Sequence, residues 1–148
     1  MYFVDRNQIE QILNNMEEIL TLFKTQKEWK SPIEKLALER LAHVLVESFL
    51  DVGNQMIDGF IMRDPGSYED IVDILVDESV VTKANEEGLK KIVQLRKQLV
   101  RDYTQVSHEE VYTELTQNIS DWEALPGQVR TYLEKELGPV SAFKPTEN

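Results

Sequence analysis

The chain has 148 residues, no cysteine, and 27 acidic against 16 basic side chains, giving a formal net charge of −11. The missing thiols exclude a disulfide framework and any thiolate metal site, and the acidic balance argues against indiscriminate coating of nucleic acid, which relies on phosphate neutralisation. A chain of this length fits one domain with a real core, expected over residues 1–138 and followed by a loose tail at 139–148. The opening MYFVDRNQIEQ carries an early acid and no long apolar run, so neither a secretory signal nor a membrane span is expected, and a cytoplasmic protein without membrane contact follows.

Between residues 3 and 24, Phe3, Ile9, Ile12, Leu13, Met16, Ile19, Leu20 and Phe23 recur at helical spacing, with Asp5 or Asn7 able to start the helix. A polar break containing Trp29 leads to Ser31-Pro32-Ile33-Glu34, which combines an N-cap, a proline at the first helical position and a capping-box glutamate. The second helix has the longest apolar stripe: Leu38, Leu41, Leu45, Phe49, Val52, Met56 and Phe60, widened by Leu36, Val44, Leu50 and Ile57. Gly53 within it points to a close helix approach, because an idle glycine costs up to about 1 kcal/mol against alanine. The opposite face carries Glu39, Arg40, His43, Glu47, Asp51 and Asn54.

Asp64-Pro65-Gly66 turns the chain into a short helix over 68–76, packed through Ile71, Ile74 and Leu75. Thr82 is placed to cap a helix running to about residue 103. Ser107-His108-Glu109-Glu110 repeats the capping-box pattern and opens a last helical region, which Pro126-Gly127 should kink or divide and Gly138-Pro139 should stop. Strand alternation and hairpin signals are absent. The expected fold is all-α: an antiparallel four-helix bundle with one additional short helix.

The segment 90–103, KKIVQLRKQLVRDY, gathers Lys90, Lys91, Arg96, Lys97 and Arg101 in twelve residues without a carboxylate. On a continuous helix Arg96 and Tyr103, seven apart, fall on nearly the same face. Two readings fit these residues, an ordinary solvated face and a phosphate site, and composition alone favours the former. The two histidines, His43 and His108, lack the spacing of a metal site and read as a helix-face and a capping-turn residue. The dispersed carboxylates read as solvated or structural acids, although Glu47 and Asp51 are one turn apart and placed to share a cation. Neither a metal nor a cofactor is expected, since glycine-rich phosphate loops and nucleophile elbows are missing.

With that segment in view, the chain resembles the HepT-like family of HEPN-domain proteins, through LALERLAHVLVESFLDVGNQMI, PGSYEDIVDIL and LRKQLVRDYTQVSHEEVY. The family signature is Arg-x4-His-x-Tyr, commonly within RNxLVHxY. Arg96 and Tyr103 match it; Arg101 stands at the histidine position and Lys97 at the asparagine. The resemblance implies a helical homodimer with a composite cleft, metal-independent endoribonuclease activity, and an MntA-like nucleotidyltransferase antitoxin that AMPylates the motif tyrosine. Carried over, Arg96 is the phosphate clamp and Tyr103 the AMPylation target. Asp51 and Asn54, in the DxGN step, support the cleft, while Lys90, Lys91 and Lys97 add phosphate contacts.

Arg101 alters the expected chemistry. Proton transfer near neutral pH suits imidazole, with its pKa of about 6.5. Guanidinium, with a pKa above about 12, remains charged and retains anion binding alone. The reading that follows is a toxin-type HEPN scaffold that binds RNA and whose nuclease site is weakened or lost. Its rivals are an active ribonuclease with another proton shuttle and a dimeric interaction protein that binds no RNA.

Overall fold

The computed structural model describes residues 4–138, and every described regular element is helical. Helix α1 spans Arg6–Thr25, α2 Pro32–Gly59, α3 Tyr68–Asp77, α4 Glu86–Val93 and α5 His108–Leu137. Helices α1, α2, α4 and α5 form the bundle; α3 is the additional short helix, packed on α2 and α4. Phe3 and the expected tail at 139–148 lie outside the described residues.

The caps explain where the helices start. Asp5 accepts a hydrogen bond from the Gln8 amide, 3.0 Å away. Ser31 accepts from the Glu34 amide while the Glu34 carboxylate accepts from the Ser31 amide, closing the expected capping box. Ser67 and Ser107 accept from the Asp70 and Glu110 amides at the starts of α3 and α5, but neither Asp70 nor Glu110 reciprocates. The Ser107 amide instead donates to the Gln98 side chain at 2.8 Å, and Gln98 donates to Glu110 at 2.9 Å.

The stripe of α2 is the spine of the core, buried from Leu38 to Phe60 against Trp122 and Leu125 of α5 and Ile9, Leu13 and Met16 of α1. Leu36 departs from the expected stripe and is 64% exposed, like its neighbour one turn earlier, Ile33, at 79%. Val44 is half-buried. Gly53 does mark a close approach: a Cβ there would lie 2.5 Å from Ile71 Cγ2 of α3. Polar ties run antiparallel between α1 and α5. Lys24 meets Glu123 at 2.8 Å, and Arg130 reaches Glu10, Asn14 and Glu17.

Two expectations about the later helices are corrected. Pro126 does not divide the last helix, which continues to Leu137. Proline removes one backbone bond, but Trp122, Leu125, Pro126 and Val129 are buried together, and that packing holds the helix across the gap. The helix expected from Thr82 to about residue 103 is also interrupted. After a 3₁₀ turn at Lys83–Asn85, α4 ends at Val93, and a π turn occupies Lys97–Arg101. The Leu95 amide bonds the Ile92 carbonyl, whereas the Asp102 amide bonds the Lys97 carbonyl five residues back. Leu95 and Leu99, four residues apart, are both buried across this change of register.

Candidate functional site

The break in α4 decides where the cations point. Arg96 sits between the break and the π turn, and its Nε donates to Glu47 Oε2 of α2 at 2.7 Å. Its guanidinium lies over the Tyr68 ring of α3, 4.5 Å from the centroid, a cation–π contact. The Glu47 hydrogen bond raises the Arg96 pKa above the ordinary arginine value despite partial burial. Arg96 is therefore held by an acid and an aromatic from two different helices.

Glu47 belongs to a row on α2 repeating every four residues: Glu39, His43, Glu47 and Asp51. His43 Nε2 is 3.9 Å from the Glu47 oxygen that accepts from Arg96. One turn away on the other side, Asp51 has its pKa raised by partial burial and by repulsion from Glu47. At the far end of the row, Glu39 Oε2 lies 2.6 Å from His108 Nε2. Helix α2 thus presents an acid–histidine edge to the segment running from Arg96 to His108.

The sequence-predicted site residues divide into groups. Arg96, Lys97 and Arg101 line one cavity of about 340 Å³, together with Tyr68 and Gln94. Lys90 and Lys91 line a separate depression, bordered by Lys83, Glu86 and Glu87; Gln94 touches both. Lys90 bridges Asp73 of α3 at 2.6 Å and Glu86 at 3.1 Å. Those hydrogen bonds, Asp73's first, raise its pKa. The five cations do not share one continuous groove. Lys91, Lys97 and Arg101 are exposed and make no ion pair among the described residues.

Tyr103 lies beyond the π turn in the loop before α5, 66% exposed. The expected sharing of one helical face with Arg96 does not occur, because there is no continuous helix to share. Asp51 and Asn54 are exposed on α2 and form no hydrogen bond with Arg96, Arg101 or Tyr103. Of the two residues that hold Arg96, Glu47 was visible in the sequence only as an acid one turn from Asp51, and Tyr68 was not singled out. No group of three or more potential metal ligands occurs among the described residues, and no described helix is long and apolar enough to cross a membrane.

An all-α bundle with a cationic segment interrupted by a π turn, and with Arg96 and Tyr103 in the Arg-x6-Tyr frame, agrees with the HEPN type that the sequence resembles. The family model described as Ribonuclease HepT-like matches residues 9–129. The chain belongs to this HepT-like family. The relative named "Putative RNase YutE", from Bacillus subtilis strain 168, is 53% identical over 144 residues, spanning 97% of this chain and 100% of YutE. The solved structure of B. subtilis YutE, described as a cytosolic protein of unknown function, matches with a TM-score of 0.93 at 52% identity, covering 97% of this chain and 100% of that one. A tri-AMPylated HEPN toxin of Shewanella oneidensis, solved with its MNT antitoxin, matches with a TM-score of 0.69 at 16% identity, covering 84% and 95%. At that identity the likeness is one of fold.

Proposed function

We propose that this chain is an RNA-binding HEPN protein of the toxin–antitoxin type whose metal-independent endoribonuclease site is weakened or lost. The observation that carries the reading is the guanidinium of Arg101 at the position where the family places its proton-transfer histidine. Arginine there can neutralise a phosphodiester and stabilise charge developing on it, but it has no proton to exchange near neutral pH. The tie from Arg96 to Glu47 supports the same reading, since a phosphate must compete with a carboxylate for that cation.

The remaining parts of the proposal follow from exposure and likeness. Ile33 and Leu36, one turn apart on α2 and 79% and 64% exposed, supply an apolar contact for a C2 homodimer. A cytoplasmic site of action agrees with the description of YutE as cytosolic. An MntA-like nucleotidyltransferase is the proposed antitoxin partner, by analogy with the MNT-bound Shewanella toxin. The exposed Tyr103 phenol is the proposed AMP acceptor. Arg96, Arg101 and Tyr103 form the proposed remnant of the catalytic site, with Lys97 and Lys91 as further phosphate contacts. Lys90 acts mainly as the α3–α4 bridge, and Asp51 and Asn54 support the cleft from α2.

A second reading has one specific observation in its favour. His43 stands 3.9 Å from the carboxylate that holds Arg96, so an imidazole is present beside the cleft although not at position 101. In that case the protein is an active ribonuclease and His43→Ala abolishes cleavage. The separating assay incubates highly purified protein with single-stranded RNA in the presence of chelator. Salt-sensitive binding without cleavage is the expected result; cleavage lost in His43→Ala establishes the second reading, and absence of both binding and cleavage refutes both.

A further inference from the structure

A second concave site lies away from Arg96, between the α1–α2 connection and the start of α5. It encloses about 600 Å³ and is lined by Trp29, Tyr112, His108 and three lysines, Lys27, Lys30 and Lys35. This volume falls within the range of about 300–1,000 Å³ typical of small-ligand sites. The three lysines are exposed and, unlike Lys24, Lys83 and Lys90, make no ion pair among the described residues. In a chain of net charge −11, three such cations around one cavity are a local concentration of positive charge.

The aromatic wall is braced from behind. Phe23 stacks on Trp29 with centroids 5.8 Å apart and planes at 19°, and it also packs against Tyr112 at 5.8 Å. One buried phenylalanine therefore fixes two rings that border the cavity, so little side-chain freedom is lost when a planar ligand settles on them. His108 is fixed as well, through its 2.6 Å contact with Glu39. Rigid rings beside unpaired cations are the combination that binds single-stranded nucleic acid, with bases on the π faces and phosphates on the lysines.

We infer that this cavity binds a nucleotide unit of single-stranded RNA, with its base against Trp29 and Tyr112 and its phosphodiester on Lys27, Lys30 and Lys35. Glu28 and Glu109 border the same space, so the lysines exceed the carboxylates by one. That excess matches one phosphodiester better than the dianion of a free mononucleotide, and it is the reason a strand is the ligand. Glu39, which holds His108, and Glu47, which holds Arg96, are two turns apart on α2, about 12 Å. A short strand can reach from this cavity to the cationic segment.

The inference rests on the RNA-binding reading above, and the test separates the two. A ten-nucleotide single-stranded RNA is titrated into the full chain while anisotropy of the RNA and tryptophan fluorescence are followed together. Trp122 is wholly buried, so quenching reports Trp29. The expected result is quenching that tracks binding. Replacing Lys27, Lys30 and Lys35 together by Ala should reduce the slope of log K against log salt by about 0.7, the value of one neutralised phosphate on a single strand. Tyr112→Ala should weaken binding by at least about 5-fold, the lower end of base–aromatic stacking. Circular dichroism checks that both variants remain folded. Binding without quenching, unchanged in the lysine variant but lost when Arg96, Lys97 and Arg101 are replaced, overturns this site and leaves the RNA-binding reading intact. AMP or UMP binding more tightly than the strand also overturns it. No RNA binding by the wild type at low salt overturns both.

Discussion

Glu47→Gln changes one charge in the tie that holds Arg96, and its consequences run in two directions. The wild-type bond is 2.7 Å long, but the two side chains are 22% and 37% exposed, so solvent screens much of the attraction. A charged hydrogen bond is worth about 1.5–3 kcal/mol when protected, and an exposed ion pair about 0.2–1 kcal/mol. This intermediate pair should contribute about 1 kcal/mol. For a chain of this size the variant should melt about 3 °C lower by calorimetry. RNA binding should move the other way. The freed guanidinium can take a phosphate, and the slope of log K against log salt should steepen by about 0.7, the value of one single-strand contact. The Asp51 pKa, raised by burial and then by Glu47, should fall because the second cause is removed, which carboxyl-resolved NMR titration can follow. If Glu47→Gln leaves the salt slope unchanged or weakens RNA binding, Glu47 does not compete with phosphate for Arg96.

Other consequences concern packing, pH and modification. A methyl at Gly88 would overlap the Asp121 carboxylate, which accepts from Asn85 at 2.6 Å across the α4–α5 contact. Gly88→Ala should therefore destabilise by about 1–3 kcal/mol in urea unfolding despite better helix propensity, and a stabilised variant would show that α4 can slide freely. Asp70, held by Arg63, and Glu86, held by Lys83 and Lys90, both have pKa values lowered to about 2. Their folded-state values lie below the ordinary values near 4, so their stabilisation is complete above about pH 5 and is lost as pH falls toward 2. Asp70→Asn should flatten part of the acid limb of stability against pH; an unchanged limb would place the acid sensitivity elsewhere. With a cognate nucleotidyltransferase and ATP, wild type should gain AMP mass and Tyr103→Phe should not, whereas undiminished labelling of Tyr103→Phe would assign the modification to another residue.

Features set by local chemistry were legible in the sequence. The Ser31/Glu34 box, the α2 stripe and the close approach at Gly53 each follow from a few neighbouring residues, and each appears in the fold. The break after Val93 was not legible, because the residues before and after it keep an apolar pattern compatible with one helix. Leu95 and Leu99 are both buried, but at four residues apart they fit a regular helix equally well, so nothing local signals the π turn. The continuity of α5 through Pro126 was hidden as well, since tertiary packing outweighs the lost backbone bond. At the candidate site, the cations were visible but their partners were not. Which lysine meets Asp73, and which arginine meets Glu47 and Tyr68, depends on helix contacts distant in sequence.

The central claim, that Arg101 occupies the place of a proton-transfer group, is tested most directly by cleavage of single-stranded RNA in chelator by Arg101→His beside wild type. Arg101 is exposed, so the smaller imidazole should not disturb the fold. Losing one cation weakens binding slightly, but a working general acid–base group is worth about 10²–10⁴ in rate, so catalysis should prevail. Wild type should cleave little or not at all. In Arg101→His, cleavage should appear with a pH dependence near the imidazole pKa and disappear when Arg96→Ala is added. Vigorous wild-type cleavage that persists unchanged in Arg101→Ala would contradict the claim, and so would an Arg101→His variant that binds RNA normally and remains inert.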